Sequence, residues 1–213
     1  MRYLDKSGLS KIFIVIFHVV GLVGFILLEY QEFFLSFVPF HLLLMGAILL
    51  ANQKEFTTQL WKGVAVITIG GFVIELIGVS TGKIFGVYSY GATLGYKLFD
   101  IPLIIGVNWF ILVFSVGSVL KKYFKHQRNL KSLIGAAILV GIDILIEPIA
   151  IKFDYWAWKD GIVPLQNFVA WFIVSFVMLR VYYEIDFTKT NKVALLLLTS
   201  QVIFFIVLNL TVV

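Results

Sequence analysis

Two carboxylates stand four residues apart in an apolar run, Asp143 and Glu147 in GIDILIEPIA, and an aromatic and charged stretch, DYWAWKD, follows them. Residues i and i+4 share one helix face, so both carboxyls point the same way. Ionisable groups inside a membrane helix are costly to keep and mark a functional site by default. Two nearby carboxyls in such a setting can share one proton, and a neutral carboxylic acid can then protonate a weakly basic substrate. Helix–helix hydrogen bonding, or pairing with Lys152 or Lys159, is the structural alternative. Pro148 follows directly and is expected to kink the helix, because it removes a backbone donor. Broken backbone at that depth is tolerated only where protein or a cavity satisfies it.

A third carboxylate, Glu75 in GGFVIELIGVSTGKIFG, is placed to complete the acid site, to orient a water, or to bond a neighbouring helix. Asn108, Gln166 and Asn167 are the amides nearest this chemistry. Asn167 has a competing role as a helix cap. The aromatic candidates are Tyr88 and Tyr90 in GVYSYG, Trp109, Tyr155, Trp156 and Trp158 beside Asp154, and Trp171. Their faces attract a cation by about 1–2 kcal/mol when desolvated, although Trp and Tyr also suit an ordinary interfacial belt. Asp143, Glu147 and Glu75 are thus the catalytic candidates. The substrate-binding candidates are Tyr88, Tyr90, Asn108, Trp109, Asp154, Tyr155, Trp156, Trp158, Gln166, Asn167 and Trp171.

Several chemistries lack their residues. His18, His41 and His126 have no ligand spacing, so no metal is expected and structural hydrogen bonds are the default. Three histidines are too few for an iron-dependent membrane oxygenase. Asp5, Asp100, Asp143, Asp154, Asp160 and Asp186 form no cluster for a magnesium diphosphate. There is no cysteine, no G-x-S-x-G elbow and no H-E-x-x-H helix, and the glycines of the 86–95 stretch lack a G-K-[ST] ending.

The elements that must position these groups are membrane helices. Of 213 residues, 61% are hydrophobic and 14% charged, far from the balance of a soluble domain. Apolar stretches at about 10–28, 32–51, 60–80, 100–120, 132–151, 164–183 and 193–213 each approach the ~20 residues that span a bilayer. The expectation is an all-α, polytopic bundle of about seven transmembrane helices, forming one integral membrane domain over 1–213. The first stretch reads as a retained helix rather than a signal peptide. Every Lys and Arg except Lys83, Lys97, Lys152 and Lys159 falls in a segment that is internal if the N-terminus is inside. That bias predicts the cytoplasmic (inner) membrane, with the N-terminus inside and the C-terminus outside. It also assigns the net charge of +5 to topology and anionic lipid rather than to nucleic acid. In this arrangement the polar groups gather about 4–12 Å below the outer helix ends, under the loops 81–99 and 152–163.

The order GVYSYG, LGYKLF, IPLIIGVNW, Asp143, Glu147-Pro148, DYWAW and PLQNFVAW resembles the carotenoid biosynthesis membrane proteins typified by the carotenoid 1,2-hydratases, such as the bisanhydrobacterioruberin and gamma-carotene hydratases. The resemblance covers about residues 70–175 and, beyond that, hydropathy alone. It implies a hydro-lyase that adds water to the terminal double bond of an acyclic (ψ) carotenoid end, without a redox cofactor. The residues agree in type: a proton donor, aromatic faces for a tertiary cation, and amides or phenols to hold water. A lycopene-cyclase-like enzyme, which traps the same cation with an internal alkene, is the nearest alternative. A non-enzymatic carotenoid or lipid carrier, or a small transporter, is the other; midplane polar sites between broken helices are typical of transporters. Oligomeric state is open.

Overall fold

The computed structural model describes residues 6–124 and 127–213; Arg2, Asp5, Lys125 and His126 lie outside them. Eight helices are described: α1 Lys6–Ile26, α2 Gln31–Ser36, α3 Val38–Ala51, α4 Thr58–Thr81, α5 Ile104–Tyr123, α6 Arg128–Lys152, α7 Leu165–Glu184 and α8 Ala194–Thr211. Four short strands join them: β1 Tyr88–Tyr90, β2 Lys97–Leu98, β3 Ile101–Pro102 and β4 Trp156–Trp158. Six helices, all but α2 and α3, are long and apolar enough to cross a membrane. The fold is the expected all-α polytopic membrane bundle.

The seven expected stretches return with one difference. The 32–51 stretch is two helices, α2 and α3, meeting at Phe37. Pro39 accounts for the break. It lies in the first turn of α3, where its missing N–H is harmless, but a continuous helix would drive its ring against the carbonyl four residues back. Pro148, in contrast, sits inside α6 without ending it. Asn209 on α8 donates to the nearby Leu145 carbonyl at 2.7 Å, one way a neighbouring helix supports backbone beside a proline.

The contacts at the helix ends show the long helices alternating in direction, and the two ends of the bundle differ. At one end Asn52 bonds Ser10 at 2.8 Å, Gln53 bridges to Asn191, and Arg128 pairs with Glu184 at 2.7 Å. This end carries the basic segments. At the other, Phe25 of α1 meets Phe153 after α6 with ring centroids 5.1 Å apart. There β1 pairs antiparallel with β4, setting Tyr88 opposite Trp158 and Tyr90 opposite Trp156. The loops 81–99 and 152–163 are thus one hydrogen-bonded lid. Gly91 lets them close: a Cβ there would lie 2.1 Å from the Asp154 carbonyl oxygen.

Helix α5 is buried almost throughout and forms the central post, with Ile111, Val113 and Phe114 wholly enclosed. Its approach to α4 depends on Gly71, whose Cβ would strike Trp109 at 2.5 Å. That small residue seats the Trp109 ring beside Glu75.

Candidate active site

Glu75 lies one and a half turns before the end of α4, 4% exposed. Its Oε2 accepts from the Tyr88 hydroxyl at 2.5 Å and the Tyr90 hydroxyl at 2.7 Å, and its Oε1 from the Trp109 indole at 3.1 Å. Three donors and no acceptor is an environment built for an ionised carboxylate. The two phenols sit on β1, outside the spans. Burial first, then the neighbouring Glu75, push both well above the ordinary tyrosine range. They therefore stay protonated and keep donating.

Glu147 is held from the lid. Trp156 and Trp158, alternate residues of β4 brought to one carboxylate, donate to its Oε2 at 3.0 and 2.9 Å. Its Oε1 receives, among the described residues, only a long 3.3 Å contact from Asn167 Nδ2, so that oxygen, unlike either oxygen of Glu75, is left free enough to carry a proton. The same Nδ2 donates to Asp143 Oδ2 at 2.8 Å. Asp143 is fully buried and its Oδ1 has no partner among the described residues. The i, i+4 pair on α6 is thus tied together by an amide from α7.

These groups enclose a small pocket bordered by Glu75, Tyr88, Tyr90, Trp109, Glu147, Trp158, Asn167 and Trp171, with Phe85, Ile105, Asn108, Ile146 and Trp156 completing the wall. Its free volume is about 20 Å³, room for about one water molecule. Trp109 and Trp171 stack on each other in its wall, with centroids 4.5 Å apart and planes 20° apart. Ile105, Asn108, Ile146 and Trp156 also border a second cavity of about 390 Å³, almost wholly apolar. That chamber lies among α1, α2, α3, α5, α6 and α8, and its volume is within the range of ligand-sized sites. Phe33, Phe37 and Phe40, on its α2–α3 side, are largely exposed on the outer face of the bundle.

Ten of the fourteen candidate residues therefore border the small pocket. The other four fall elsewhere. Asp143 sits behind Glu147 and borders neither cavity, while Tyr155 lines the large one. Asp154, at a positive φ of 55°, accepts from the Ala92 N–H at 2.8 Å and staples the lid. Gln166 donates to the Lys83 and Ile84 carbonyls, fastening the start of α7 to the loop after α4. Asn167 makes no cap; the side chains offer none at the start of α7. Sequence reasoning missed Phe85, Ile105 and Ile146 as pocket wall, and the large cavity altogether. Apolar residues in an apolar helix carry no signal that they face a void. Among the described residues no group of three His, Asp or Glu is placed to hold a metal ion.

No solved structure matches the chain. A bisanhydrobacterioruberin hydratase from Haloarcula japonica is 27% identical over 114 residues, which is 50% of this chain and 39% of that protein. The chain thus aligns with well under two thirds of that relative's length. The carotenoid biosynthesis protein family matches residues 36–213, which takes in every carboxylate and lid residue described above. The chain belongs to the carotenoid biosynthesis protein family.

Proposed function

We propose that the protein hydrates the terminal double bond of an acyclic carotenoid end without a cofactor. The observation that carries this reading is the shared wall between the two cavities: a water-sized pocket between carboxylates opens beside a long apolar chamber at Asn108 and Trp156. The hydrocarbon chain lies in the chamber and along the outer phenylalanines. Its end reaches the shared wall.

The chemistry then runs on this chain's own side chains. Glu147 gives its proton to the less substituted carbon of the double bond; a C–H bond forms as the π bond breaks, and a tertiary cation remains. Trp156, whose indole is fixed by Glu147, presents an aromatic face to that charge. Glu75, saturated with donors, stays anionic and sets a fixed negative charge across the pocket. A water held beside Asn108 bonds to the cation, and its surplus proton returns to Glu147. Asp143 and Asn167 position Glu147 and keep the pair supplied with one proton.

The orientation belongs to the same proposal. The basic end of the bundle faces the cytoplasm, with the N-terminus inside and the C-terminus outside the cytoplasmic membrane, so the lid and its carboxylates face outward. The relative named as a bisanhydrobacterioruberin hydratase supports the reaction type.

Expression in a lycopene-accumulating host tests the reading. A new pigment bearing a tertiary hydroxyl is the expected product. Ringed pigments would assign a cyclase, and unchanged pigment a carrier; either outcome overturns hydration.

A further inference from the structure

Far from the lid, the basic end of the bundle holds a buried cation. Lys131, the fourth residue of α6, is 2% exposed. A lysine is seldom buried so far unless it is paired. The ion pairs among the described residues, Lys54–Glu55, Arg128–Glu184 and Arg180–Glu184, leave it out. Its ammonium lies over the Tyr183 ring, 4.4 Å from the centroid, while the Tyr183 hydroxyl donates to the Gly117 carbonyl at 3.1 Å. The ammonium is not one of the fully enclosed atoms that lack a partner. Protein therefore covers the stem, and the tip keeps an open side.

The charges that act on it have its own sign. They are Arg128, in the same turn of α6, and Lys121, in the last turn of α5. Lys189 lies over the adjoining Tyr182 ring, 5.2 Å from that of Tyr183, and donates to the Ile185 and Phe187 carbonyls. Of the nearby acids, Glu184 is held by Arg128 and Arg180, each at 2.7 Å. Asp186 is exposed and acts on Lys189, not on Lys131. A helix start is also the positive end of its dipole, so cations there add like charge to like. The first turn of α6 has no acidic residue, and Gln127 gives it no side-chain cap. Its opening N–H groups therefore remain free to donate.

We infer that the start of α6 is a binding site for the phosphate group of an anionic phospholipid, with Lys131 as its enclosed ligand and Lys121 and Arg128 at its rim. The site takes no part in the proposed reaction and stands without it. A phosphate brings acceptor oxygens and negative charge to a place that offers donors and positive charge. The position selects a lipid over free phosphate. It lies at the ends of the membrane-length helices α5 and α6, where basic pockets between helices bind anionic headgroups. Tyr123 at the end of α5, and Leu130 and Leu133 on α6, are exposed and give acyl chains a surface. Net charge selects the headgroup. Phosphatidylcholine carries the same phosphate, but its choline would add a further cation to the cluster; phosphatidylglycerol adds none.

The purified full chain in a neutral detergent provides the test. Phosphatidylglycerol and phosphatidylcholine with the same acyl chains are titrated separately, and bound lipid is counted by native mass spectrometry. The wild type should bind phosphatidylglycerol at least about tenfold more tightly. Lys131→Met keeps the apolar stem and should bring the two affinities within about twofold. Lys121→Gln, at the rim, should lower the preference about fivefold, the scale of one cation near a headgroup, and carries the test if Lys131→Met does not fold. Lys54→Gln removes an exposed cation at the same end and should leave the preference unchanged. Millimolar inorganic phosphate should not displace the bound lipid. Equal affinities in the wild type, as expected if the ammonium only reaches water, overturn the site. A preference that survives Lys131→Met or Lys121→Gln does the same. An equal loss in Lys54→Gln would reduce the effect to the general field of the basic end and overturn it too. Displacement by inorganic phosphate would give the site to a free anion and overturn the lipid.

Discussion

Asn167 holds Asp143 across the α6–α7 interface: its Nδ2 donates to Oδ2 at 2.8 Å, the one hydrogen bond described for that fully buried carboxyl. Asn167→Leu takes that donor away and leaves both oxygens of Asp143 without a partner. The expected loss is about 1–3 kcal/mol of stability. Asp143→Leu combined with Asn167→Leu should cost clearly less than the two separate losses together, since neither partner is then left alone. Thermal unfolding in detergent reads both quantities. Strict additivity would show that the two residues do not depend on each other.

The carboxylates differ in what they face, and their variants should rank accordingly. Glu147 borders the small pocket, whereas Asp143 borders neither cavity. Glu147→Gln keeps an oxygen for the indoles of Trp156 and Trp158 but cannot give a proton, so turnover should fall by about 10²–10⁴-fold, the usual contribution of a general acid. Asp143→Asn should fall less. Glu75→Gln should fall through loss of the charge opposite the cation, with substrate binding preserved. Rates in vesicles, normalised to folded protein, make the comparison. Wild-type turnover in Glu147→Gln would remove it from the mechanism.

Trp156 and Asn108 both stand in the wall between the cavities, and their loss should divide the products differently. Trp156→Leu removes an aromatic face and its electron-rich contact with the cation, so protonation slows and total conversion falls. Asn108→Leu leaves the cation able to form but poorly trapped. It then loses a proton back to alkene or closes on an internal double bond. Chromatography of the pigments should show less of everything in the first variant and a higher share of isomerised or cyclic product in the second. The same distribution in both would detach Asn108 from the water.

Much of this site was legible because charge inside an apolar helix has few explanations. Asp143, Glu147 and Glu75 stood out for that reason, and the basic residues placed them at one end. The pairing of Tyr88–Tyr90 with Trp156–Trp158 was not legible, because three-residue strands more than sixty positions apart are too short to show a period. Asp154 and Gln166 lie outside the small pocket: each is within a turn or two of a residue that borders it, yet the hydrogen bonds described for each go to backbone. The break at Phe37 had its signal in Pro39, outweighed by a continuous apolar run. Gln201 is one of several polar residues of α8, and only the fold sets it on the same cavity as His18.

Lys189, in the loop between α7 and α8, gives the bundle a pH-dependent term. Burial lowers its pKa to about 8, aided by Lys121, Arg128 and Lys131 and opposed by Asp186. Its ammonium lies over the Phe187 ring at 4.3 Å and the Tyr182 ring at 5.6 Å, and it donates to the Ile185 carbonyl. Between the folded value and the ordinary lysine value the unfolded chain binds more protons, so stability should rise as pH climbs from about 8 toward 10.5, by the linkage of proton binding to folding. Unfolding temperatures across that window should increase, and Lys189→Met should flatten the rise. A slope unchanged in Lys189→Met would assign the effect to other groups.

The orientation decides which compartment supplies the water. Lys54, with its side chain 71% exposed, follows α3 at the basic end. Asp160, also exposed, follows β4 at the lid. Lys54→Cys and Asp160→Cys place single thiols on a chain that has none, at opposite ends of the bundle and away from both cavities. In intact cells a membrane-impermeant maleimide should label the second and spare the first until the membrane is opened. That pattern puts Glu147 and its water under the outer face. The reverse pattern would place the lid in the cytoplasm and set this chain against the usual bias of Lys and Arg. Labelling of both in intact cells would mean that the loops do not alternate across the bilayer, and the antiparallel order of the helices would then have to be read as packing within one leaflet.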